Sequence, residues 1–167
     1  MCVWECDLQD IQAYAKYNHN HRYVLSFKDL MSKFLHMNFV KTKSEPSVAS
    51  AFRSIFDDTK YSSRRPVCLR TDKDKEFLNK YFQDFLRSEG IQFQVCRNPD
   101  LKCAIVELAH RTVGDTIYKY FTFKNTYRYI DVLPKFLRAY NNTVHSTTGM
   151  APLQVTVSYF LAIWRRM

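Results

Sequence analysis

The order in which strand and helix patterns follow one another constrains this chain more than any other feature. Residues 2–8 form a short apolar run, and residues 21–27 and 34–40 place apolar side chains at alternate positions. Alternation with a period of two is typical of strands that bury one face. Because the three stretches come in succession, we expect a three-stranded antiparallel meander at the start of the fold.

A strand–helix–strand pattern comes next. Residues 66–70 have strand character, apolar side chains then recur at helical spacing from Phe77 to Leu86, and Gly90 ends that run. Residues 91–95 again alternate apolar and polar positions. This order builds a parallel strand pair with a right-handed crossover. The sequence therefore predicts an α/β fold, a five-stranded mixed sheet flanked by helices.

Three further stretches have the spacing of amphipathic helices. The first begins after Ser44, a residue type that favours helix N-termini. The second has a predicted inner face of Ile105, Leu108, Ala109 and Thr112. The third covers residues 127–140, and we expect Pro134 to split it into two helical pieces.

Composition limits the class of protein. The 167 residues suit one domain, and 25 Lys and Arg against 16 Asp and Glu give a net charge of +9. With 46% apolar residues, a folded basic domain with a polyanionic partner such as nucleic acid is predicted. The three glycines form no phosphate-binding loop, and no apolar run suits a signal peptide or membrane span. The odd, irregularly spaced set of five cysteines predicts an intracellular protein.

Three acidic side chains stand out by their positions. Asp7 ends the first predicted strand, Asp72 follows the fourth, and Glu107 lies on the helix after the fifth. Sites of open α/β sheets assemble at the carboxyl ends of strands, so Asp7 and Asp72 meet if these two strands are neighbours. Converging carboxylates need a cation between them. We expect two Mg²⁺ ions, which promote in-line attack of water or a hydroxyl on a phosphodiester.

The motifs around these acids resemble a known family. The segments WECDLQD, CLRTDKDKEF and NPDLKCAIVELAHRTV are similar to the three acidic motifs of the retroviral integrase catalytic core, a DDE enzyme of the RNase H-like fold. Between Asp72 and Glu107 lie 34 residues, close to the spacing of that family. Residues 120–155 extend the resemblance and are most similar to integrases of Maverick/Polinton transposons.

The resemblance implies roles for individual residues. Asp7, Asp72 and Glu107 correspond to the catalytic triad, which binds two Mg²⁺ or Mn²⁺ ions. The implied reactions are phosphodiester hydrolysis at the element's ends and strand transfer into target DNA, by a homo-oligomer in the nucleus. The DNA-contacting residues that we predict from position and resemblance are Lys73, Lys75, Lys102, His110 and Arg111. Residues 1–157 would be the catalytic core, and residues 158–167 an unassigned C-terminal extension.

Two residues depart from the family pattern, and they keep a second interpretation open. Asp74 stands where the family usually has glycine, and His110 where it usually has asparagine. Neither change removes a metal ligand, so we expect an enzyme. The alternative is a catalytically inactive, transposon-derived remnant that binds DNA or protein.

Other patterns have ordinary explanations. Cys2 and Cys6, if on one strand, lie about 13 Å apart, which is too far for one zinc ion. We therefore expect no zinc site and no zinc-binding N-terminal module. The basic residues around Asp72 are either a solvated surface or phosphate contacts. They are Arg64, Arg65, Arg70, Lys73 and Lys75.

Overall fold

A five-stranded sheet with helices packed against it forms the body of the protein. The computed structural model describes residues 2–58, 64–73, 75–96 and 104–166. The strands are β1 (Val3–Asp10), β2 (Tyr23–Asp29), β3 (Leu35–Val40), β4 (Cys68–Thr71) and β5 (Gln92–Val95). The helices are α1 (Glu45–Phe56), α2 (Lys75–Leu78), α3 (Lys80–Ser88), α4 (Ala104–Lys124), α5 (Leu133–Asn142) and α6 (Phe160–Arg166). The predicted α/β class is confirmed.

The sheet has the strand order β3-β2-β1-β4-β5. The pairs β1–β2 and β2–β3 are antiparallel, whereas β1–β4 and β4–β5 are parallel. Glu5 on β1 lies opposite Lys28 of β2 and opposite Arg70 of β4. The predicted meander and parallel pair are confirmed, and the first and fourth strands are neighbours, which is the condition under which Asp7 and Asp72 can meet. The central strand β1 is thus shared by the two halves of the sheet.

Two apolar clusters pack the helices onto the sheet. Trp4, Cys6 and Leu8 of β1 belong to the cluster that includes Phe52 of α1 and Phe82 of α3. Burial of an aromatic or aliphatic side chain contributes about 1.5–3 kcal/mol, so this cluster is a main source of stability. The second cluster includes Ala109, Val113 and Phe121 of α4 and Leu133 of α5. Because side chains alternate along a strand, Glu5 and Asp7 share the other face of β1, and Glu5 contacts α4 there.

The helix predicted over residues 77–86 is interrupted at Asn79. The Asn79 side chain accepts a hydrogen bond from the Phe82 backbone N–H at 2.8 Å and donates one to the carbonyl of Glu76 at 2.6 Å. An asparagine that accepts from the N–H three residues later caps a helix N-terminus. The stretch is therefore two helices, α2 and α3, instead of one.

The last predicted helix begins later than its sequence pattern suggests. Helix α5 starts at Leu133, so Pro134 lies in its first turn, where a missing N–H costs no hydrogen bond. The Asn18 side chain accepts the backbone N–H of Tyr129 at 2.8 Å and of Ile130 at 3.1 Å. The backbone of Tyr129 and Ile130 is thus bound to Asn18 and is not helical, so the helix begins only after this segment. The prediction that Pro134 splits a longer helix is therefore wrong.

The buried face of α4 also differs from the prediction. Its buried residues include Val106, Ala109, His110 and Val113, whereas Leu108 is 56% exposed and Thr112 is exposed. The prediction counted only apolar residues and so missed the position of His110. This polar side chain is buried because a carboxylate on β1 binds it.

The C-terminal stretch packs against the rest of the fold. Ile163 of α6 is buried, and the guanidinium of Arg166 lies against Gly149, whose φ is +68°. A side chain at residue 149 would meet that guanidinium. In the part of the chain that the structure describes, no helix combines the length and the apolar character that crossing a bilayer requires.

Candidate active site

Asp7 lies within β1 and not at its end, because the strand continues to Asp10. Its Oδ1 accepts the backbone N–H of Leu8 at 2.8 Å, and its Oδ2 lies 3.2 Å from Nδ1 of His110 on α4. The Asp7 side chain is mostly buried. The first candidate acid is therefore held on one side by its own strand and on the other by α4.

Asp72 directly follows β4, the parallel neighbour of β1. Their pairing ends with Glu5 opposite Arg70, so Asp72 comes two residues after the last paired position of β4, as Asp7 does on β1. The Thr71 hydroxyl donates to the backbone carbonyl of Asp72 at 2.9 Å. The sheet thus places these two acids at matching positions of adjacent strands.

Glu107 lies in the first turn of α4 and is half-buried. In the described ranges, no three His, Cys, Asp or Glu side chains form a group that could hold a metal ion. The fold brings the elements that carry Asp7, Asp72 and Glu107 together, but it does not gather the three carboxylates into one ligand set. Their predicted role in catalysis and metal binding stays a prediction.

Burial and the contact with His110 act in opposite directions on the pKa of Asp7. Burial alone would raise the pKa of Asp7, but the hydrogen bond and charge of His110, the Leu8 N–H and the charge of Lys43 together lower it below its usual value. His110 was predicted to contact DNA. The structure instead buries its ring against Asp7, so its direct partner here is the carboxylate.

Two buried polar atoms close to Asp7 have no hydrogen-bond partner among the described residues. One is Nε2 of His110, and the other is Oγ of Ser26, the residue opposite Asp7 on β2. Carboxylate oxygens are ligands that Mg²⁺ prefers, and buried polar atoms normally bind protein or water. The Asp7 carboxylate and these polar atoms are groups that could bind a hydrated divalent cation and its water ligands. The described residues do not form a complete ligand group for that cation.

Two proteins from mobile elements are similar to this chain in sequence. A transposon-derived protein of Caenorhabditis elegans is 31% identical over 142 residues, covering 85% of this chain and 48% of that protein. A retrovirus-related Pol polyprotein from transposon 297 of Drosophila melanogaster is 25% identical over 140 residues, covering 83% of this chain and 13% of the polyprotein. This chain thus spans less than half of either relative. No protein-family model matches it.

Solved structures are similar over almost the whole chain. The magnesium complex of the HTLV-2 integrase catalytic core domain matches in its trimeric form with a TM-score of 0.71 and 20% identity, over 92% of this chain and 94% of that one. The dimeric form gives a TM-score of 0.72 at 19% identity, with the same coverage of both chains. This chain has the integrase-core fold. An intasome of simian T-cell lymphotropic virus bound to PP2A subunit B56 gamma has a TM-score of 0.77 at 17% identity, over 91% of this chain and 52% of that one.

The basic residues around the candidate site fall into two groups. Lys73 and Lys75 beside Asp72, and Arg111 one turn after Glu107, are exposed. Lys102 and Asp74 lie outside the described residues. The side chains of Lys73, Lys75 and Arg111 are therefore accessible for the predicted contacts with DNA.

The other basic residues bind within the protein. Arg64 donates to the carbonyls of Leu153 and Val155, Arg65 to the carbonyl of Phe56 and to Glu89, and Arg70 to Gln94. A guanidinium in such contacts is less free to meet phosphate. Around Asp72 the two lysines are thus exposed, while the three arginines make hydrogen bonds within the protein.

Two residues of the candidate site, Lys43 and Glu5, were not predicted from the sequence. Lys43 forms an ion pair with Glu76 at 3.3 Å, and its charge also acts on Asp7. Lys43 follows β3 in a polar loop, so no sequence signal marked it. Glu5 carries a signal that was overlooked, because it lies two residues before Asp7 and must share its face of the strand.

Proposed function

We propose that this chain is the catalytic core of a transposon-type DNA integrase. The observation that carries the proposal is that Asp7 on β1 and Asp72 directly after β4 each come two residues beyond the last paired position of these adjacent parallel strands, while β1 contacts the helix that carries Glu107. The relatives support it, because both come from mobile elements and one is a retrovirus-related polyprotein. The reactions would be hydrolysis of phosphodiesters at the element's ends and transfer of those ends into target DNA.

Asp7, Asp72 and Glu107 are the residues that would hold Mg²⁺ or Mn²⁺, as two ions. Such ions, when bound, neutralise charge on the reacting phosphate and lower the pKa of the attacking water. The pKa of Asp7 lies below its usual value, so this side chain is an anion at neutral pH, which is the form that binds a metal ion. The likeness to an integrase core solved with magnesium adds support for a divalent cation.

The proposed partners follow from charge and from the neighbouring structures. A net charge of +9 and exposed Lys73, Lys75 and Arg111 suit DNA phosphates, and Lys102 is proposed with them from sequence, whereas His110 is buried against Asp7. Integrase cores of this fold occur as dimers, trimers and intasomes, so we infer a homo-oligomer that acts on nuclear DNA. The finer likeness to Maverick/Polinton integrases rests on the sequence motifs alone.

A strand-joining assay tests the activity. The purified chain is incubated with oligonucleotides that carry the element's ends and with Mg²⁺ or Mn²⁺, and joined product is measured. We expect product from the unmodified protein and only background from Asp72→Asn. The matched control is Asp84→Asn, which removes an exposed acid on α3 whose ion pair is with Arg87, and it should retain activity. Equal product from Asp72→Asn and wild type, or none from either on assembled ends, would refute the catalytic proposal.

One observation favours a second candidate, a DNA-binding remnant without chemistry. The described residues contain no complete metal-ligand group, and His110 already binds one oxygen of Asp7. For such a remnant, fluorescence anisotropy would show DNA binding that neither Mg²⁺ nor Asp72→Asn changes, and no strand joining. Metal-dependent product that Asp72→Asn abolishes would exclude it.

A further inference from the structure

A buried carboxylate links the central strand to the first turn of α4. Glu5 is 6% exposed, and its Oε2 accepts the backbone N–H of Ile105 at 3.2 Å and of Val106 at 3.3 Å. The N–H groups in the first turn of a helix have no acceptor within that helix. A side chain of the sheet therefore provides the acceptor that these two donors need.

Both ends of this link lie next to candidate catalytic residues. Glu5 and Asp7 are two residues apart on the same face of β1, and Glu107 directly follows Val106. We propose that Glu5 is a positioning residue, which fixes the first turn of α4 on β1 and so sets the distance between the Asp7 and Glu107 carboxylates. The importance of that distance for metal binding rests on the proposed function.

The surroundings of Glu5 show what the link depends on. Burial raises its pKa, while the N–H groups of Val106 and Ile105 and the charges of Arg70 and Lys28 act in the opposite direction. Cations on both flanking strands and the positive end of α4 therefore offset part of the cost of burying this acid. Glutamine at residue 5 would lose the negative charge but keep an oxygen that can accept the same two hydrogen bonds. Comparison of Glu5→Gln with Glu5→Ala therefore separates the contribution of the charge from that of the hydrogen bonds.

Amide hydrogen exchange, followed by NMR on the metal-free protein, tests the link itself. In Glu5→Ala, exchange at Ile105 and Val106 should accelerate about tenfold or more relative to Phe121 in the last turns of α4. Glu5→Gln should stay close to wild type. The matched control is Val48→Ala, a core truncation on α1 in the apolar cluster that does not contain α4 residues, and it should leave both amides unchanged. Unchanged exchange at both amides in Glu5→Ala would overturn the link.

Mn²⁺ binding tests whether Glu5 positions the Asp7 and Glu107 carboxylates. Electron paramagnetic resonance measures the free Mn²⁺ ion, well below the melting temperature of each variant. Glu5→Ala should weaken binding about tenfold, the scale of one lost hydrogen bond, with rescue in Glu5→Gln and no change in Val48→Ala. Equal Mn²⁺ affinity in Glu5→Ala and wild type would overturn the positioning role while leaving the proposed function intact. Wild type that binds no Mn²⁺ would overturn the proposed metal site, and the positioning role with it.

Discussion

Acidification should destabilise this protein through one buried histidine. His36 lies on β3 opposite Phe27, with its ring centroid 4.9 Å from that of Trp4 and 4.7 Å from that of Phe34. Burial, assisted by the charge of Arg64, lowers the pKa of His36 from 6.5 to about 3. The folded protein therefore keeps this ring neutral at pH values where the unfolded chain protonates it.

The size of the effect follows from linkage between proton binding and folding. A histidine whose folded pKa is depressed makes the unfolded state bind more protons, so stability falls as pH drops below 6.5 and continues to fall down to about pH 3. Each pH unit within that window changes the free energy of unfolding by about 1.4 kcal/mol at most. Because the unfolded group is only partly protonated near pH 6.5, the loss between pH 7 and pH 5 is about 2 kcal/mol.

Urea unfolding followed by tryptophan fluorescence at pH 7 and pH 5 measures this loss. His36→Phe keeps an aromatic ring in the Trp4 and Phe34 cluster but cannot protonate, so its stability should fall about 2 kcal/mol less than that of wild type over the same interval. His145 also has a lowered pKa and contributes in both proteins, so the comparison between them isolates His36. His36→Leu serves as a second variant if phenylalanine packs poorly. Equal pH sensitivity in wild type and in both variants would show that His36 does not remain neutral in the folded state.

Two further predictions concern the candidate site. His110→Ala should lower the free energy of unfolding at pH 7 by about 1.5–3 kcal/mol in urea titrations, because Asp7 loses a buried hydrogen-bond donor. His110→Asn should lose less stability because its amide can donate to Asp7. Equal losses in the two variants would contradict a donor role for His110. Replacing Lys73 and Lys75 with alanine should reduce the slope of log DNA affinity against log salt by about 1.8, measured by fluorescence anisotropy. The same double replacement at exposed Lys135 and Arg138 on α5 should change the slope little, and similar effects of both pairs would indicate general charge attraction only.

The strand pattern predicted the sheet correctly because its information is local. Alternation along residues 21–27 and 34–40, and the strand–helix–strand order after Pro66, are properties of adjacent residues that survive in the folded sheet. The neighbouring positions of Asp7 and Asp72 then follow from strand order. The strands themselves could be predicted without knowledge of any distant contact, whereas the pairing of β1 with β4 that brings Asp7 near Asp72 is a long-range contact that the strand pattern does not specify.

The errors share one physical cause, which is a polar side chain that binds backbone or a charge elsewhere. Asn79 ends a helix by capping the next one, and Asn18 binds Tyr129 and Ile130 from more than a hundred residues away. His110 takes a buried position on α4 because Asp7 lies beneath it. Apolar periodicity contains no trace of such bonds, so helix ends and the polar part of the buried face could not be predicted from it.

These same polar contacts bear on whether the site is active or a remnant. Replacing a buried charged network by apolar residues is often neutral or stabilising, so selection for folding alone does not require one. Between β1 and α4 this chain keeps two buried carboxylates, each with donors: Asp7 binds His110 and the Leu8 N–H, and Glu5 binds the first turn of the helix. The His110 ring nitrogen Nδ1 lies within hydrogen-bond distance of Asp7, at 3.2 Å from its Oδ2. A core built from Leu or Met would need neither carboxylate, so the presence of both suits the catalytic proposal. The Mn²⁺ titration of Glu5→Ala and Glu5→Gln measures what the second carboxylate contributes.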